Sequence, residues 1–145
     1  MDSGADVDEI AGALRMSIGL LVRRLRYLRL EGELTVPETS ALVRLARDGP
    51  TTSAALAKVE QISPQSMGAT LGALEARALV ERHADAADGR KAVLSLTAAG
   101  RRAVQEQRKA GTEALAKALA TGFTPAEIKV LTDVAPLIER LAQQI

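Results

Sequence analysis

A single short region interrupts the helical pattern of this chain. Elsewhere, apolar residues recur at three- and four-residue steps, the spacing of helices that bury one face. The exceptions are Leu79–Arg82 and Ala92–Leu96, two short segments with some alternation of apolar and polar residues, separated by a stretch that contains Asp88-Gly89. This arrangement is typical of a β-hairpin. We therefore predict a mainly α-helical fold with one small hairpin.

Capping residues divide the helical pattern into segments. Thr35, Ser63, Thr97 and Thr124 each stand where a side-chain oxygen can accept a backbone N–H at a helix start, and Pro follows three of them within two residues. Helix-ending glycine stands at Gly49. The predicted helices span residues 7–30, 36–48, 52–59, 64–77, 98–120 and 125–145.

Composition limits the functions that the chain can carry. Its 145 residues, 1–145, fit one domain, and with one Tyr, one Phe and no Trp the core must consist of aliphatic side chains. The absence of Cys excludes disulfides and thiolate metal sites, and one His excludes a multi-histidine site within one chain. We therefore expect no metal and no cofactor.

The sequence also bears on location. No apolar run approaches the length needed to cross a bilayer. The N-terminus is acidic and lacks the basic and apolar regions of a signal peptide. We therefore expect a cytoplasmic protein that is not bound to a membrane.

Two short helices followed by a hairpin make a winged helix-turn-helix, a DNA-binding arrangement. The second helix would lie in the major groove while the first braces it. On that second helix, Met67, Leu71 and Leu74 share the face that we assign to the core. The predicted recognition residues are Ser63, Pro64, Gln65, Ser66, Ala69 and Thr70. Gln can hydrogen-bond adenine twice, Ser and Thr can meet several base edges, and Ala can touch a thymine methyl.

The predicted hairpin supplies a wing. Arg90 and Lys91 lie in its loop, and arginine suits the narrow, negatively charged minor groove. We predict that the acidic Asp88 is not a DNA contact but supports the wing by fixing Arg82 or Arg90 in one pose. Thr52, at the start of the first short helix, is a predicted phosphate contact because helix N-termini bind anions.

Residues 52–102 resemble the DNA-binding unit of the MarR (multiple-antibiotic-resistance regulator) family. The similar stretches, in the family's order and spacing, are Leu56, Ser63-Pro64-Gln65-Ser66, Leu74-Glu75, Leu79-Val80-Glu81-Arg82, Asp88-Gly89-Arg90 and Leu96-Thr97-Ala98-Ala99-Gly100. The helices before and after complete the family's element order, so the resemblance covers nearly the whole chain.

The resemblance implies a sequence-specific transcriptional regulator. Residues 35–100 would form the DNA-binding lobe, with dimerisation helices at 7–30 and 101–145. A homodimer would bind double-stranded DNA at a palindromic operator and repress transcription, and a small, often anionic aromatic effector between the dimer helices and the lobe would relieve repression. The residues that bind the effector are not assigned. The apolar terminal helices also favour a dimer seam, because a monomer of this size would struggle to cover both.

Two positions depart from the family pattern. The family often has a hydroxyl residue followed by Arg at Gly68-Ala69, whereas no cation occurs here from Ser63 to Ala76. Ala78 stands where the family commonly has the Gly that ends the recognition helix, so that break must be made in another way. A winged-helix protein-interaction module with weak or lost DNA binding is therefore the alternative function.

Other interpretations carry less weight. An enzyme is disfavoured because the chain shows no phosphate-binding glycine loop and no nucleophile motif. Taken alone, Ser63-Pro64 is only a helix cap and Asp88-Gly89-Arg90 only a turn, but at winged-helix spacing the functional interpretation is favoured. We expect His83 to be an exposed structural residue and Tyr27 to be partly buried in helix packing.

Overall fold

The computed structural model describes residues 3–28 and 34–145, with side chains from residue 6 onward. The elements, in chain order, are α1 (Ser3–Arg26), α2 (Val36–Asp48), β1 (Thr51–Thr52), α3 (Ser53–Glu60), α4 (Pro64–Ala76), β2 (Val80–Ala84), β3 (Ala92–Leu96), α5 (Ala98–Gly122) and α6 (Pro125–Ala142). The predicted fold class is confirmed: the chain is mainly helical with a hairpin between α4 and α5.

The helix starts follow from local capping. The side chains of Thr35, Thr52, Ser63 and Thr124 each accept a backbone N–H from the residue three positions on, which satisfies one of the donors left free at a helix start. At Thr124 the bond is reciprocal, because the Glu127 carboxylate accepts the Thr124 backbone N–H at 3.0 Å. This reciprocal pair is a capping box.

The first helix is shorter at its C-terminal end than predicted. It ends at Arg26, because the Tyr27 N–H is shared between the carbonyls of Arg23 and Arg24, and the Leu28 N–H bonds the carbonyl of Leu25 at 3.2 Å. Hydrogen bonds between residues three apart are of the 3₁₀ type, so they tighten the last turn and end the α-helix. The predicted stop at residues 31–33 lies outside the described residues.

A third strand was not predicted. Thr51 and Thr52 pair antiparallel with β3, opposite Leu94 and Val93, and give a sheet in the order β1-β3-β2. Two residues are too few to show a period-two pattern, although β-branched threonine suits a strand. The hairpin itself has the register Val80 opposite Leu96 through Ala84 opposite Ala92, so β2 extends two residues beyond the predicted segment.

An aliphatic core joins these elements within the first of two compact units. The units run from Met1 to Lys109 and from Ala110 to Ile145, so the boundary falls within α5. The core of the first unit consists of Leu34, Ala41, Leu42, Leu45, Leu56, Ala57, Met67, Leu71, Leu74, Val80, Leu94 and Val104. Burying aliphatic side chains of this size stabilises by roughly 1.5–3 kcal/mol each, so the helix-turn-helix and the sheet are held as one body.

The terminal helices leave much apolar surface uncovered in the single chain. On α1, Ile10 and Leu21 are exposed, and Leu14, Ile18 and Leu25 are only half-buried. On α6, in the second unit, Leu131, Leu137 and Leu141 are exposed, and no α6 residue is buried. Within residues 3–28 and 34–145, no helix is long and apolar enough to span a bilayer.

Candidate nucleic-acid interface

The helix α4 presents two different faces. Met67, Leu71 and Leu74 are buried in the core, as predicted. Of the predicted recognition residues, Ser63, Pro64, Gln65, Ser66 and Ala69 are exposed and Thr70 is half-buried. The Ser63 hydroxyl is engaged in the cap, since it accepts the Ser66 backbone N–H at 3.0 Å and donates to the Ser66 hydroxyl at 2.9 Å. The face left to solvent can therefore offer amide, hydroxyl and methyl groups to a DNA groove.

The connection before α4 is also tightly built. Gln61 adopts a left-handed conformation with φ of 56°, and its N–H caps α3 through the carbonyls of Ala57 and Lys58. An ion pair between Arg44 of α2 and Glu60 of α3, with Nε and Oε1 2.7 Å apart and largely shielded from solvent, holds the bracing helices together. The Gln61 cap and the Arg44–Glu60 ion pair therefore hold the end of α3, from which the chain turns into α4.

Ala78 makes the break after α4 that glycine commonly makes. It has φ of 57°, a left-handed conformation that costs an alanine roughly 1–2 kcal/mol. The Leu79 N–H then reaches the carbonyl of Leu74 at 3.0 Å, the six-to-one bond of a Schellman motif. The Thr97 hydroxyl donates to the Ala78 carbonyl at 2.6 Å, which secures the turn. Ala78 therefore adopts the left-handed conformation that glycine would adopt, and the fold bears its conformational cost.

Gly100 lets α5 start directly against this turn. A Cβ at Gly100 would collide with the backbone carbonyl oxygen of Leu79 and would lie 3.2 Å from the Leu96 side chain. The same Leu79 carbonyl accepts the Thr97 N–H at 3.1 Å, so it cannot easily move away. Gly100 belongs to the stretch that resembles the family pattern, and this close approach is the physical reason for a glycine there.

The wing loop is ordered by aspartate side chains. Asp88 accepts the Arg90 backbone N–H at 3.1 Å, and Asp85 accepts the Ala87 backbone N–H at 3.1 Å. The Lys91 backbone closes the loop, donating to the Asp88 carbonyl at 3.0 Å and accepting from the Asp85 N–H at 2.9 Å. The side chains of Arg90 and Lys91 are exposed at the end of this loop. Aspartates that bond their own backbone two residues on are typical of tight turns.

Arg82 is held by Glu75 of α4, whereas Asp88 was predicted to fix either Arg82 or Arg90. Its Nε donates to Glu75 Oε1 of α4 at 2.9 Å, and its Nη2 lies 3.5 Å from Glu75 Oε2. This hydrogen bond raises the pKa of Arg82 above its ordinary value. Of the two partners predicted for Asp88, Arg82 contacts Glu75 instead, and Arg90 contacts Asp88 through its backbone N–H. No sequence spacing reveals this pair, because it joins a helix to a strand across a turn.

The other predicted residues have simpler surroundings. Thr52 is half-buried and its hydroxyl accepts the Ala55 N–H at 3.2 Å, so at this helix start the side chain already satisfies one donor. His83 is exposed, as expected, with its Nε2 3.2 Å from Glu81 Oε1. In the described part of the chain, no three His, Cys, Asp or Glu side chains come together as a metal site would require.

A cavity of about 470 Å³ lies between the end of α1 and the start of α2. Among the described residues, Gly19, Val22, Arg23, Arg26, Tyr27 and Val36 line it. The guanidinium carbon of Arg23 lies 6.0 Å from the centre of the Tyr27 ring, at the outer limit of a cation–π contact. Tyr27 is 58% exposed, so the expectation that it would be partly buried is wrong in the single chain.

Comparison with known proteins identifies relatives of this fold and sequence. The MarR family model matches residues 33–91. An HTH-type transcriptional regulator of Mycobacterium tuberculosis is 31% identical over 144 residues, covering 99% of this chain and 98% of that protein. The wild-type, apo MarR of E. coli superposes with a TM-score of 0.70 at 20% identity, covering 86% of this chain and 95% of that one. A mutant of S. aureus MepR bound to an oligodeoxyribonucleotide superposes with a TM-score of 0.64 at 20% identity, covering 94% and 98%.

Proposed function

Because the chain belongs to the MarR family of DNA-binding transcriptional regulators, we propose that it is a homodimeric repressor of a palindromic operator, relieved by a small-molecule effector. Members of this family are not enzymes. The observation that carries the proposal is the uncovered polar face of α4 beside a hairpin loop that exposes Arg90 and Lys91. A winged helix-turn-helix uses both, because the recognition helix reads the major groove and the wing enters the minor groove.

The α4 helix reads the operator with small polar groups. Gln65 and Thr70 supply hydrogen bonds to base edges, Ser66 contacts bases or sugar, and Ala69 touches a thymine methyl. Ser63 and Pro64 place the helix N-terminus against a phosphate, and Thr52 does the same for α3. With no cation between residues 63 and 76, the charge that attracts the DNA backbone comes from the wing and from neighbouring elements.

Replacing Arg90 by alanine tests the interface. In a fluorescence anisotropy titration with operator DNA, Arg90→Ala should weaken binding at least tenfold, since a charged minor-groove contact is removed. The matched control is Arg47→Ala, which removes an exposed arginine on α2 that pairs only with the adjacent Asp48 among the contacts described. Arg47→Ala should bind as the unaltered protein does, and equal affinity of both variants would contradict the proposed wing contact.

The dimer forms through the terminal helices α1, α5 and α6. Their exposed apolar side chains, among them Ile10, Leu21, Leu131 and Leu137, are the kind of surface that obligate partners bury. Removing residues 125–145 should therefore convert a dimer into a monomer in sedimentation analysis. A truncated chain that still sediments as a stable dimer would overturn this part. With the dimer intact, the two half-sites should lie roughly 10 base pairs apart, so that both recognition helices meet one face of DNA.

The effector is proposed to occupy the cavity between α1 and α2. Arg23 and Arg26 offer positive charge, Tyr27 offers a ring and a hydroxyl, and Val22 and Val36 offer apolar contact. That chemistry suits an anionic aromatic molecule. Isothermal titration with salicylate as the probe should show binding that Arg26→Gln weakens, while the exposed Arg102→Gln of α5 leaves it unchanged. If Arg26→Gln leaves the heat of salicylate binding unaltered, the salicylate site lies outside this cavity.

The absence of any cation from the recognition helix favours a second candidate, a winged-helix module that binds proteins. Residues 63–76 carry no Arg or Lys, whereas DNA-reading helices commonly use them. The Arg90→Ala titration separates the two functions, because a protein-interaction module would be indifferent to that change. DNA binding lost in Arg90→Ala with the dimer intact excludes the second candidate.

A further inference from the structure

We propose that Glu75 is a positioning residue of the DNA interface, which joins the wing to the recognition helix and keeps Arg82 from binding phosphate. This inference rests on the proposed interface and concerns how strictly it selects sequence. Glu75 was part of the family pattern, but no role followed for it from the sequence.

The contact between Glu75 and Arg82 links the two elements that meet DNA. Glu75 lies in the last turn of α4, and Arg82 lies in the middle of β2, opposite Leu94 of β3. Two nitrogens of the guanidinium fork approach the two carboxylate oxygens, at 2.9 and 3.5 Å. Paired contacts of this kind fix orientation as well as distance. A change in the tilt of the hairpin against α4 would break them.

The pair also decides where positive charge meets DNA. In α4 and β2 as described, Arg82 is the one arginine or lysine, and 44% of its side chain is exposed. An unpaired arginine at this place would bind a phosphate of any DNA, since backbone contacts carry no sequence information. Held by Glu75, Arg82 adds no net charge. Sequence-independent attraction to phosphate then does not mask the selectivity of a recognition helix that carries no cation of its own.

Stability alone does not account for this pair. Half-exposed ion pairs contribute little to folding because water and salt screen them and two long side chains lose freedom. Removing the charge of Glu75 should leave the fold in place. The consequence should then appear in DNA binding, which allows a positioning role to be separated from a structural one.

The test compares Glu75→Gln, Arg82→Gln and the double variant on a short random-sequence duplex across a range of salt concentrations. The matched control is Glu81→Gln, which removes the same charge from the exposed neighbour of Arg82 on β2, where the carboxylate faces His83. Freed Arg82 should add one phosphate contact in Glu75→Gln. The slope of log affinity against log salt concentration should then become steeper by about 0.9. Raising the salt from 50 to 200 mM should therefore cost Glu75→Gln about 3.5-fold more affinity than it costs the unaltered protein.

The outcomes separate this inference from the proposed function. Steepening in Glu75→Gln that is absent from Glu81→Gln, and that disappears in the double variant, supports the positioning role. Equal slopes for Glu75→Gln and Glu81→Gln overturn it, as does a shallower slope in Arg82→Gln alone, because Arg82 would then already bind phosphate. An unaltered protein with no affinity for any duplex refutes the proposed interface itself. Thermal melting by circular dichroism confirms that each variant is folded.

Discussion

Replacing Ala78 by glycine should make the protein more stable, although glycine usually weakens a fold. Ala78 has φ of 57°, and the left-handed conformation costs an L-residue roughly 1–2 kcal/mol that glycine does not pay. The side chain of Ala78 is exposed, so removing its methyl group loses almost no burial. Against the gain stands the greater freedom of glycine in the unfolded chain, about 0.4–1 kcal/mol. The net expectation is a stabilisation of about 0.5–1 kcal/mol.

Urea unfolding followed by circular dichroism measures this directly. At one fixed protomer concentration, since a dimer's stability depends on it, the midpoint should rise by about 0.3–0.5 M with an unchanged slope. The matched control is Ala73→Gly, the same change at an exposed position inside α4, which should destabilise by about 1 kcal/mol. A loss of stability in Ala78→Gly as large as that in Ala73→Gly would refute the left-handed assignment and the account of how α4 ends.

Two further predictions follow from the helix starts. Gly100→Ala should destabilise by at least about 2 kcal/mol in the same urea assay, because the new methyl group meets the Leu79 carbonyl, and a change within about 0.5 kcal/mol would contradict that packing. The Thr124 N–H and hydroxyl hold the pKa of Glu127 below its ordinary value, so the carboxylate stabilises α6 at neutral pH, and this contribution is lost as the pH falls through the lowered pKa. The melting temperature of the unaltered protein should therefore exceed that of Glu127→Gln at pH 7 and converge with it as acid protonates the carboxylate. A difference that persists unchanged in acid would exclude the ionised cap as its cause.

Local signals allowed much of the fold to be predicted. Thr35, Ser63 and Thr124 act on residues three positions away, so their caps can be recognised in the sequence and all were confirmed. The buried face of α4 followed from helical spacing alone. The end of α1 was harder to predict, because the stop at Arg26 comes from a tightening of the last turn that no residue type marks.

Features that depend on distant pairing were beyond the sequence. Strand β1 exists because Thr51 and Thr52 meet β3 more than 40 residues later, and two residues carry no periodic signal. Asp88 was predicted to fix Arg82 or Arg90, but Arg82 pairs with Glu75, which lies on another element and shows no spacing signal. Ala78 was recognised as a departure from the family pattern, but only its φ shows that alanine itself adopts the glycine conformation.

The most direct test of the account is a titration of the protein against DNA from its own upstream region, with excess random competitor, at two salt concentrations. We expect a preference for one palindromic site, protected as two half-sites one helical turn apart, and an affinity that falls steeply with salt. Binding to upstream DNA that random competitor removes equally well at both salt concentrations would contradict the claim that this winged helix reads sequence.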